Sequence, residues 1–256
     1  MPSSLTSSFT FSQEAAARLR DARVFILGAG GLGSPVALFL AQAGIGHLVI
    51  ADGDRVELSN LHRQILHQTR RIGAFKTDSA RSSLLEAHPI TRVTAFPERV
   101  TETSLARLAM GCDLLVDGSD NFASRYLLNR YCMEQRLPFV SGAVLGFEGQ
   151  VATFRHGVDD QAPCYQCLHP RLEEGCMLEE GLPTCATAGV LGAVAGVIGA
   201  LQAGEVVKAI LGLTGEQGRL FLVNPLDQVY LKIVVPKDPA CPVCGVHEPA
   251  ALPPNL

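Results

Sequence analysis

The chain has 256 residues, of which 47% are hydrophobic and 18% are charged, and this composition excludes an intrinsically disordered protein. Its formal net charge of -4 argues against nucleic acid as a main partner, because proteins that bind nucleic acid carry a basic excess. Residues 1–11 lack the basic start and apolar core of a secretion signal, so we expect a cytoplasmic protein. The longest apolar run, residues 188–201, is shorter than the roughly 18 residues of a membrane span, so we expect no membrane partner.

The first half of the chain alternates short apolar runs with helical patterns. Strands are predicted at residues 23–27, 47–51, 93–96, 113–117 and 139–143, and helices at residues 34–43, 76–87, 104–110 and 121–136. Such alternation is typical of an α/β fold, because each helix returns the chain to the start of a parallel strand. We therefore expect a Rossmann-like, mostly parallel sheet with helices on both faces.

The rhythm changes after about residue 149. A strand is predicted at residues 150–155, a long loop at 156–186, an apolar helix at 188–211, and two further strands at 219–223 and 228–235. Gly192 and Gly196 in the apolar helix would allow close packing in a core or a subunit interface. The simplest organisation is a single domain over residues 1–256. Its nucleotide-binding half covers about residues 14–150, and in its second half, about 150–248, antiparallel strands extend the sheet.

A glycine-rich loop, GAGGLG at residues 28–33, follows the first predicted strand and precedes the first predicted helix. This context fits a nucleotide-binding G-x-G-x-x-G motif, in which Gly28 permits a tight turn, Gly30 lets a phosphate approach and Gly33 allows close helix packing. Asp52 follows the second strand, where an acid can bind ribose hydroxyls. The motif alone does not distinguish NAD or FAD from another nucleotide, and glycines that serve only a tight turn are the structural alternative.

A group of polar residues follows the predicted strands, at the edge where open α/β sheets bind ligands. Its members are Asp54, Asn60, Arg63, Gln64, Lys76, Asp120 and Asn121. Arg63 and Lys76 could neutralise phosphate oxygens, Asp120 could bind Mg²⁺, and Asp54 could support the site or the metal. Hydride transfer does not require this set. Taken singly, Arg63 and Lys76 could instead be solvated surface residues, and Asp120 could cap the following helix.

Four of the eight cysteines form two C-x-x-C pairs, Cys164 with Cys167 and Cys241 with Cys244. Without an export signal disulfides are not the default, and four thiolates suit a closed, structural Zn²⁺ site. Such a site would hold the C-terminal tail against the long loop; a disulfide or redox pair is the alternative. Cys185 lies apart, just before the apolar helix, where a helix N-terminus can activate a thiol. It is either a nucleophile or a small loop residue.

Several motifs occur together in this chain: GAGGLGSP, DGDRVELSNLHRQ, DLLVDGSDN, the two C-x-x-C pairs and TCATAGVLGAVAGVIGALQAGEVVK. Over residues 14–247 they resemble, in order, the E1-like adenylyltransferases of the MoeB/ThiF/HesA family, relatives of the ubiquitin-activating enzymes. The resemblance implies an enzyme that uses ATP and Mg²⁺ to adenylate the C-terminal glycine of a small ubiquitin-like sulfur-carrier protein ending in Gly-Gly. It also implies a homodimer, a carrier-binding second half, and a sulfur donor such as a cysteine desulfurase or a rhodanese.

The resemblance assigns roles to residues of this chain. Gly31 and Asp52 would hold ATP, and Asp120 would bind Mg²⁺. The other residues expected around the nucleotide are Gly30, Asp54, Asn60, Arg63, Gln64, Lys76 and Asn121. The paired cysteines would bind Zn²⁺. Cys185 matches a loop cysteine that forms a covalent sulfur link to the carrier in some members, so we expect it to act in a later sulfur-transfer step only.

One family feature is missing from the chain. Members usually carry an arginine in an R-Y-x-R-Q-like segment near the N-terminus, and this arginine reaches the ATP of the partner subunit. The first arginine here is Arg18. Arg18 or Arg20 could substitute, or the site could work without such a residue.

Two other functions stay open at the level of sequence. One is an NAD-dependent oxidoreductase with a structural zinc, which the glycine loop alone would allow. The other is a non-catalytic module that binds a Gly-Gly tail. Carrier-dependent exchange of pyrophosphate into ATP separates adenylation from both.

Overall fold

The computed structural model describes residues 11–170, 189–213 and 218–245. In this part of the chain the strands form one 8-stranded sheet, in the order β3-β2-β1-β4-β5-β6-β7-β8. Their bounds are β1 Arg23–Leu27, β2 His47–Ala51, β3 Arg92–Phe96, β4 Leu114–Asp117, β5 Phe139–Leu145, β6 Glu148–Phe154, β7 Arg219–Asn224 and β8 Val229–Val234. The five neighbouring strands β3-β2-β1-β4-β5 pair in parallel, and the strands β5-β6-β7-β8 pair antiparallel. The predicted fold class is therefore confirmed.

The helices alternate with the strands as predicted, with small changes at their ends. Their bounds are α1 Gln13–Asp21, α2 Gly33–Ala43, α3 Lys76–Ala87, α4 Glu102–Leu108, α5 Phe122–Glu134, α6 Tyr165–Leu168 and α7 Gly192–Leu211. The predicted start of α4 at residue 104 is wrong, because Thr101 and Ser104 form a capping box that begins the helix at Glu102. The sequence analysis missed α1, two short 3-10 helices, Leu58–Asn60 and Thr69–Arg71, and α6, which lies within the loop predicted at residues 156–186.

Two hydrophobic layers lie on opposite faces of the sheet. Successive residues of β1 point to opposite sides, so Val24 and Ile26 belong to one layer and Phe25 and Leu27 to the other. Helices α1, α2, α3 and α7 cover the first layer, and α4, α5 and α6 cover the second. Strands β1, β2 and β4 are therefore buried on both faces, whereas β3 at the edge is only partly covered. Buried strands leave the loops at their carboxyl ends as the place where a ligand can bind.

Helix α7 is long and apolar enough to cross a membrane by length and composition, with 20 residues and a hydropathy of 1.6. In the fold it packs against α2, β5 and β6, and Ala195, Ile198 and Val206 are fully buried. The expectation of a helix built into the core is thus met. Close packing is confirmed at Gly192, where a Cβ would lie 2.4 Å from the His62 carbonyl oxygen. A Cβ at Gly196 would meet nothing within 4 Å in the described part of the chain, so packing of Gly196 in a subunit interface stays a prediction. Gly199 also packs closely, since a Cβ there would lie 2.3 Å from Pro35.

Candidate nucleotide site and cysteine cluster

The glycine loop joins β1 to α2 and packs tightly on the loop after β4. Gly28 has a φ of 94°, which favours glycine, and a Cβ there would lie 2.8 Å from the Gly118 carbonyl oxygen. A Cβ at Gly33 would lie 1.9 Å from the Gly28 carbonyl oxygen. The roles predicted for Gly28 and Gly33, a tight turn and close helix packing, therefore fit this geometry.

Gly30 and Gly31 line the open side of the same loop. The atom nearest to a Cβ at Gly30 would be Gln64 Nε2 at 3.7 Å, and the nearest to one at Gly31 would be Arg63 Cγ at 3.5 Å. Helix α2 begins without a side-chain cap. Its first N–H groups and the bare backbone of the loop thus form a cradle that an anion such as phosphate can enter.

Asp52, directly after β2, is tied to the glycine loop. Its Oδ2 accepts a hydrogen bond from the Ala29 N–H at 2.8 Å, and its Oδ1 accepts one from the Asp54 N–H at 2.8 Å. The half-buried carboxylate therefore lies where the loop and the end of β2 meet. This is the position at which an acid can accept hydrogen bonds from a ribose in this class of fold.

Asn60 and Arg63 form a short polar chain with Glu57, which the sequence analysis did not single out. Arg63 Nη2 donates to Asn60 Oδ1 at 2.7 Å, and Asn60 Nδ2 donates to Glu57 Oε2 at 3.3 Å. The Arg63 stem packs over Gly31. The 3-10 helix Leu58–Asn60 turns the chain here, so that Asn60 can hold the guanidinium, and Arg63 is only partly exposed.

Gln64 is buried beside Gly30, with 4% of its surface exposed. Its Oε1 has no hydrogen-bond partner among the residues the structure describes. A buried amide oxygen without a partner is costly, because it loses its bond to water and gains nothing in return. The amide atom nearest to Gly30 is Nε2, so the amide presents a donor to the glycine loop.

Lys76 begins α3 and points towards the loop after β2. Its Nζ lies 2.8 Å from Asp54 Oδ2, and only 8% of the lysine side chain is exposed against 54% of the aspartate side chain. The alternative of a solvated surface lysine is therefore wrong. Asp54 acts as the counterion of Lys76, and Arg99 approaches the same carboxylate at 3.9 Å.

Asp117 and Asp120 flank the turn after β4 and differ in burial and in their side-chain partners. Asp117 is fully buried and pairs with Arg125 at 3.0 Å, whereas Asp120 is exposed and has no side-chain partner in the described part of the chain. Burial raises the pKa of the Asp117 carboxyl, and Arg125 and Ser119 act in the opposite direction. The cap of α5 is Asn121, whose Oδ1 accepts from the Ser124 N–H at 2.9 Å. The alternative of Asp120 as a helix cap is therefore wrong.

His67 is a further residue that sequence reasoning missed. Its Nε2 lies 2.8 Å from the Ala29 carbonyl oxygen and its Nδ1 lies 3.0 Å from Ser79 Oγ. Burial lowers the pKa of His67, so the ring is neutral at pH 7 and Nε2 carries the proton that the carbonyl accepts. His67 thus supports the glycine loop from behind. The only sequence signal was its place three residues after Gln64.

The four paired cysteines come together, as predicted. Their sulfur atoms all lie within 4.8 Å of one another, with 3.7 Å from Cys164 to Cys241 and 3.3 Å from Cys167 to Cys244. A disulfide needs about 2.05 Å between sulfurs, so these pairs are free thiols. Zinc bonds of about 2.3 Å in a tetrahedron place sulfurs about 3.8 Å apart, which these distances nearly match.

Cys185 lies outside the described residues. Arg18, one of the two arginines considered as a substitute for the missing family arginine, is already engaged. Its Nη1 donates to the Leu211 carbonyl at 2.9 Å at the end of α7. It also lines a cleft of about 420 Å³ with Asp113 and Pro138, at the amino ends of β4 and β5. Arg18 therefore lies at the edge of the sheet opposite to the glycine loop.

Comparison with known proteins agrees with this geometry. A model described as the ThiF family matches residues 5–243. The chain belongs to the ThiF family. It is 41% identical over 231 residues to the sulfur carrier protein adenylyltransferase of Thermus thermophilus, covering 89% of this chain and 84% of that protein. It is also 41% identical over 234 residues to the SAMP-activating enzyme E1 of Haloferax volcanii, covering 91% of this chain and 83% of that protein.

The ThiF fold also recurs in longer and more distant proteins. The Drosophila virilis protein named adenylyltransferase and sulfurtransferase MOCS3 is 41% identical over 232 residues, 90% of this chain, but the chain spans only 50% of its length. The structure of E. coli MccB matches with a TM-score of 0.78 at 22% identity, over 91% of this chain and 69% of that one. At that identity MccB shows the fold alone.

Proposed function

We propose that this ThiF-family protein adenylates the C-terminal glycine of a small ubiquitin-like sulfur-carrier protein. The observation that supports the proposal is a glycine loop with the Arg63 stem packed over Gly31, together with a buried Lys76 at the start of α3 and an exposed Asp120 in the turn after β4, which has no side-chain partner among the described residues. Relatives that match almost the whole chain are named sulfur carrier protein adenylyltransferase and SAMP-activating enzyme E1. Both names describe activation of a protein, which favours this function over NAD-dependent oxidation and over a non-catalytic tail-binding module.

Each residue of the candidate site has its own expected role in binding ATP. Gly30, Gly31 and the N-terminus of α2 would receive phosphates, and Asp52 would bind the ribose. Arg63 and Lys76 would neutralise the triphosphate, while the amides of Asn60, Gln64 and Asn121 complete the lining. Asp54 would release Lys76 in part when phosphate oxygens take its place. Because Arg63 and Lys76 already carry a positive charge, they can stabilise the negative charge on the phosphates during the reaction without any proton transfer.

The expected reaction is a displacement at phosphorus. A carboxylate oxygen of the carrier glycine attacks the α-phosphorus of ATP, the bond to the β-phosphate bridge oxygen breaks, and pyrophosphate leaves with its electron pair. The products are an acyl-adenylate and pyrophosphate. The attacking carboxylate is already ionised, so no general base is needed, and the enzyme acts by positioning and charge neutralisation. Mg²⁺, when bound, supplies further neutralisation of the phosphates, and Asp120 is the residue that would hold it.

The antiparallel half offers a surface for the carrier. Strand β8 forms the edge of the sheet and all of its residues are exposed, with Tyr230 66% and Leu231 52% accessible. An edge strand with uncovered apolar side chains can bind another protein through both its backbone and its side chains. We infer that the carrier docks on β7 and β8, which agrees with the predicted carrier-binding role of residues 150–248.

Other features belong to the same proposal. Val197 and Leu201 on the outer side of α7 are 39% and 40% exposed, and an exposed apolar helix face of this kind supports a homodimer. The cysteine cluster would hold structural Zn²⁺. The acyl-adenylate is the substrate of a later sulfur transfer in the cytoplasm, to which a cysteine desulfurase or rhodanese would supply sulfur and in which Cys185 would act.

The test is exchange of labelled pyrophosphate into ATP by the purified protein. We expect exchange with a small carrier protein that ends in Gly-Gly, and none with the same carrier lacking its last two residues. The truncated carrier is the matched control, because it keeps the docking surface and loses only the reacting carboxylate. Absence of exchange with a panel of Gly-Gly carriers, for a zinc-loaded and folded preparation, would contradict the proposal.

A further inference from the structure

The turn that carries Asp120 is held by Arg125. Asp117 at the end of β4 accepts a hydrogen bond from the Ser119 N–H at 3.0 Å and another from Arg125 Nε at 3.0 Å. Arg125 Nη2 also donates to the Ser119 carbonyl at 3.2 Å. That carbonyl belongs to the peptide group between Ser119 and Asp120. Arg125 therefore fixes the backbone where Asp120 leaves it, without touching the Asp120 side chain.

The same helix holds the cysteine cluster. Asn129 lies four residues after Arg125 on α5, so the two side chains share one face, and they are 1% and 7% exposed respectively. Asn129 Oδ1 accepts a hydrogen bond at 2.9 Å from the backbone N–H of Tyr165, the residue next to Cys164. The Tyr126 hydroxyl of α5 donates at 3.2 Å to the His169 carbonyl beyond Cys167. Neighbouring turns of one helix thus fasten the cluster and the Asp120 turn.

The contacts of Arg125 exceed what charge pairing requires. A partner that only neutralised Asp117 would need one contact, yet the guanidinium also reaches two backbone carbonyls, those of Ser119 and Gly142. Arginine can do this because its donors form a rigid planar fork. Since Arg125 is buried, water cannot replace these bonds when one is lost. Arg125 thus joins three points of the fold: Asp117 at the end of β4, Ser119 in the turn, and Gly142 in β5.

We propose that Arg125 is a positioning residue for Asp120, and that Asn129 couples the position of the cysteine cluster to the position of the same turn. The inference rests on the proposed role of Asp120 as the Mg²⁺ ligand. It adds that the affinity of the ATP site for Mg²⁺ depends on two residues that touch neither the nucleotide nor the metal.

The experiment measures the Mg²⁺ dependence of ATP binding by calorimetry, with the full-length, zinc-loaded protein. Arg125→Lys keeps the charge but replaces the fork by a single point, so we expect the Mg²⁺ concentration at half-saturation to rise about tenfold, as residues that orient metal ligands typically do. Asn129→Ala should raise it less. A variant that was only less stable would give a smaller signal at an unchanged half-saturation point, so this readout separates positioning from stability.

The controls lie on the same helix and in the same turn. Arg130→Lys alters an exposed arginine of α5 that pairs with Glu102 at 3.4 Å, and it should bind Mg²⁺ and ATP like the unsubstituted protein. Asp120→Asn should weaken Mg²⁺ binding most. If Arg125 acts through Asp120, then adding Arg125→Lys to Asp120→Asn should cause no further change, because the two effects share one element.

An unchanged half-saturation point in folded Arg125→Lys overturns the inference and leaves the proposed function standing. If Arg125→Lys does not fold, Asn129→Ala decides, and a half-saturation point equal to that of the unsubstituted protein overturns the link. Independence of ATP binding from Mg²⁺ in the unsubstituted protein overturns it as well. If only the carrier-dependent exchange fails, the proposed function is contradicted, and the Mg²⁺ binding experiment still tests whether Arg125 positions Asp120.

Discussion

The two halves of the sheet expose their strands to very different extents. In β1 every residue after Arg23 is buried, and all four residues of β4 are buried. All six residues of β8 are exposed, although most of them are apolar. A strand buried on both faces leaves only its end for chemistry, which suits a small ligand such as ATP. An uncovered edge strand offers a broad apolar surface, which suits a protein partner.

The first way to test this comparison is to remove the cysteine cluster, which lies within the second half of the chain and joins the segment after β6 to the segment after β8. Cys241→Ser with Cys244→Ser should release one zinc per chain and lower Tm by more than about 10 °C. Structural zinc contributes on the order of 10 kcal/mol in zinc-finger peptides, and about 1 kcal/mol shifts Tm by about 2–4 °C at this chain size. Metal analysis and thermal melting give the two values.

The control for the cluster is Cys112→Ala, which removes a buried thiol that lies outside it. This variant should keep its zinc. A double variant with full zinc content would show that the metal is bound elsewhere, and the assignment of the four cysteines would be wrong.

The second prediction concerns the buried half. Asp120→Asn should reduce pyrophosphate exchange by at least about 100-fold, because loss of one group that stabilises developing charge typically costs about 10²–10³ in rate. The matched control is Asp78→Asn, which removes an exposed aspartate from α3. Full exchange by Asp120→Asn would remove Asp120 from the mechanism.

The third prediction tests the exposed half. Leu231→Glu places a charge on the apolar surface of β8, so KM for the carrier should rise about tenfold, or about 1.4 kcal/mol, while KM for ATP stays the same. Ile90→Glu is the control, because Ile90 is 91% exposed and lies before β3 at the far edge of the sheet. Equal KM values for the two variants would argue against docking on β8.

A smaller effect is expected from His67. Because burial lowers its pKa, the unfolded chain binds a proton below about pH 6.5 before the folded protein does. The stability that depends on neutral His67 is therefore complete above that pH and falls as the solution is acidified. His67→Gln keeps a donor for Ala29 and should reduce the loss of unfolding free energy between pH 7.5 and 5.5, by less than about 1.4 kcal/mol.

Denaturant midpoints at the two pH values measure this difference. The exposed His62→Gln is the control, and it should leave the slope unchanged. A pH dependence that is identical with and without His67 would show that another group causes the acid sensitivity.

The smallest effect is expected at Cys185. Cys185→Ala should leave pyrophosphate exchange unchanged, since adenylation precedes any covalent sulfur step in the proposed sequence. Exchange kinetics with saturating carrier measure it. Loss of exchange in this variant would place Cys185 in the first step and reverse the proposed order.

Much of the fold was predictable because local patterns determine it. The bounds of β1 and β2 follow from uninterrupted apolar runs between polar or glycine residues, and the cysteine cluster follows from the spacing of its pairs. The Arg18 contact to the end of α7 spans 193 residues, and no local pattern indicates it. Helix α1 was missed although local signals were present, since Ser12 caps it and Ala15, Leu19 and Ala22 recur at helical spacing and pack on the core.

The candidate site was predictable in its charged members and not in their supports. Arg63, Lys76 and Asp120 stand out because charges at strand ends are unusual in a plain nucleotide fold. Asp117 and Arg125 hold the turn before Asp120 and His67 holds the glycine loop, and all three are buried, which depends on which elements pack together. Sequence indicates the residues that would meet a ligand, whereas packing reveals the residues that hold them still.

The two cysteine contacts each join positions 77 residues apart. With zinc bound, the chain from Cys164 to Cys244 becomes a closed ring that includes α7, β7 and β8. One cut of the backbone inside the ring would leave both pieces attached to the same ion, so they would separate only when the metal was removed. With zinc bound, this segment would thus be cyclic in topology, although the polypeptide is linear.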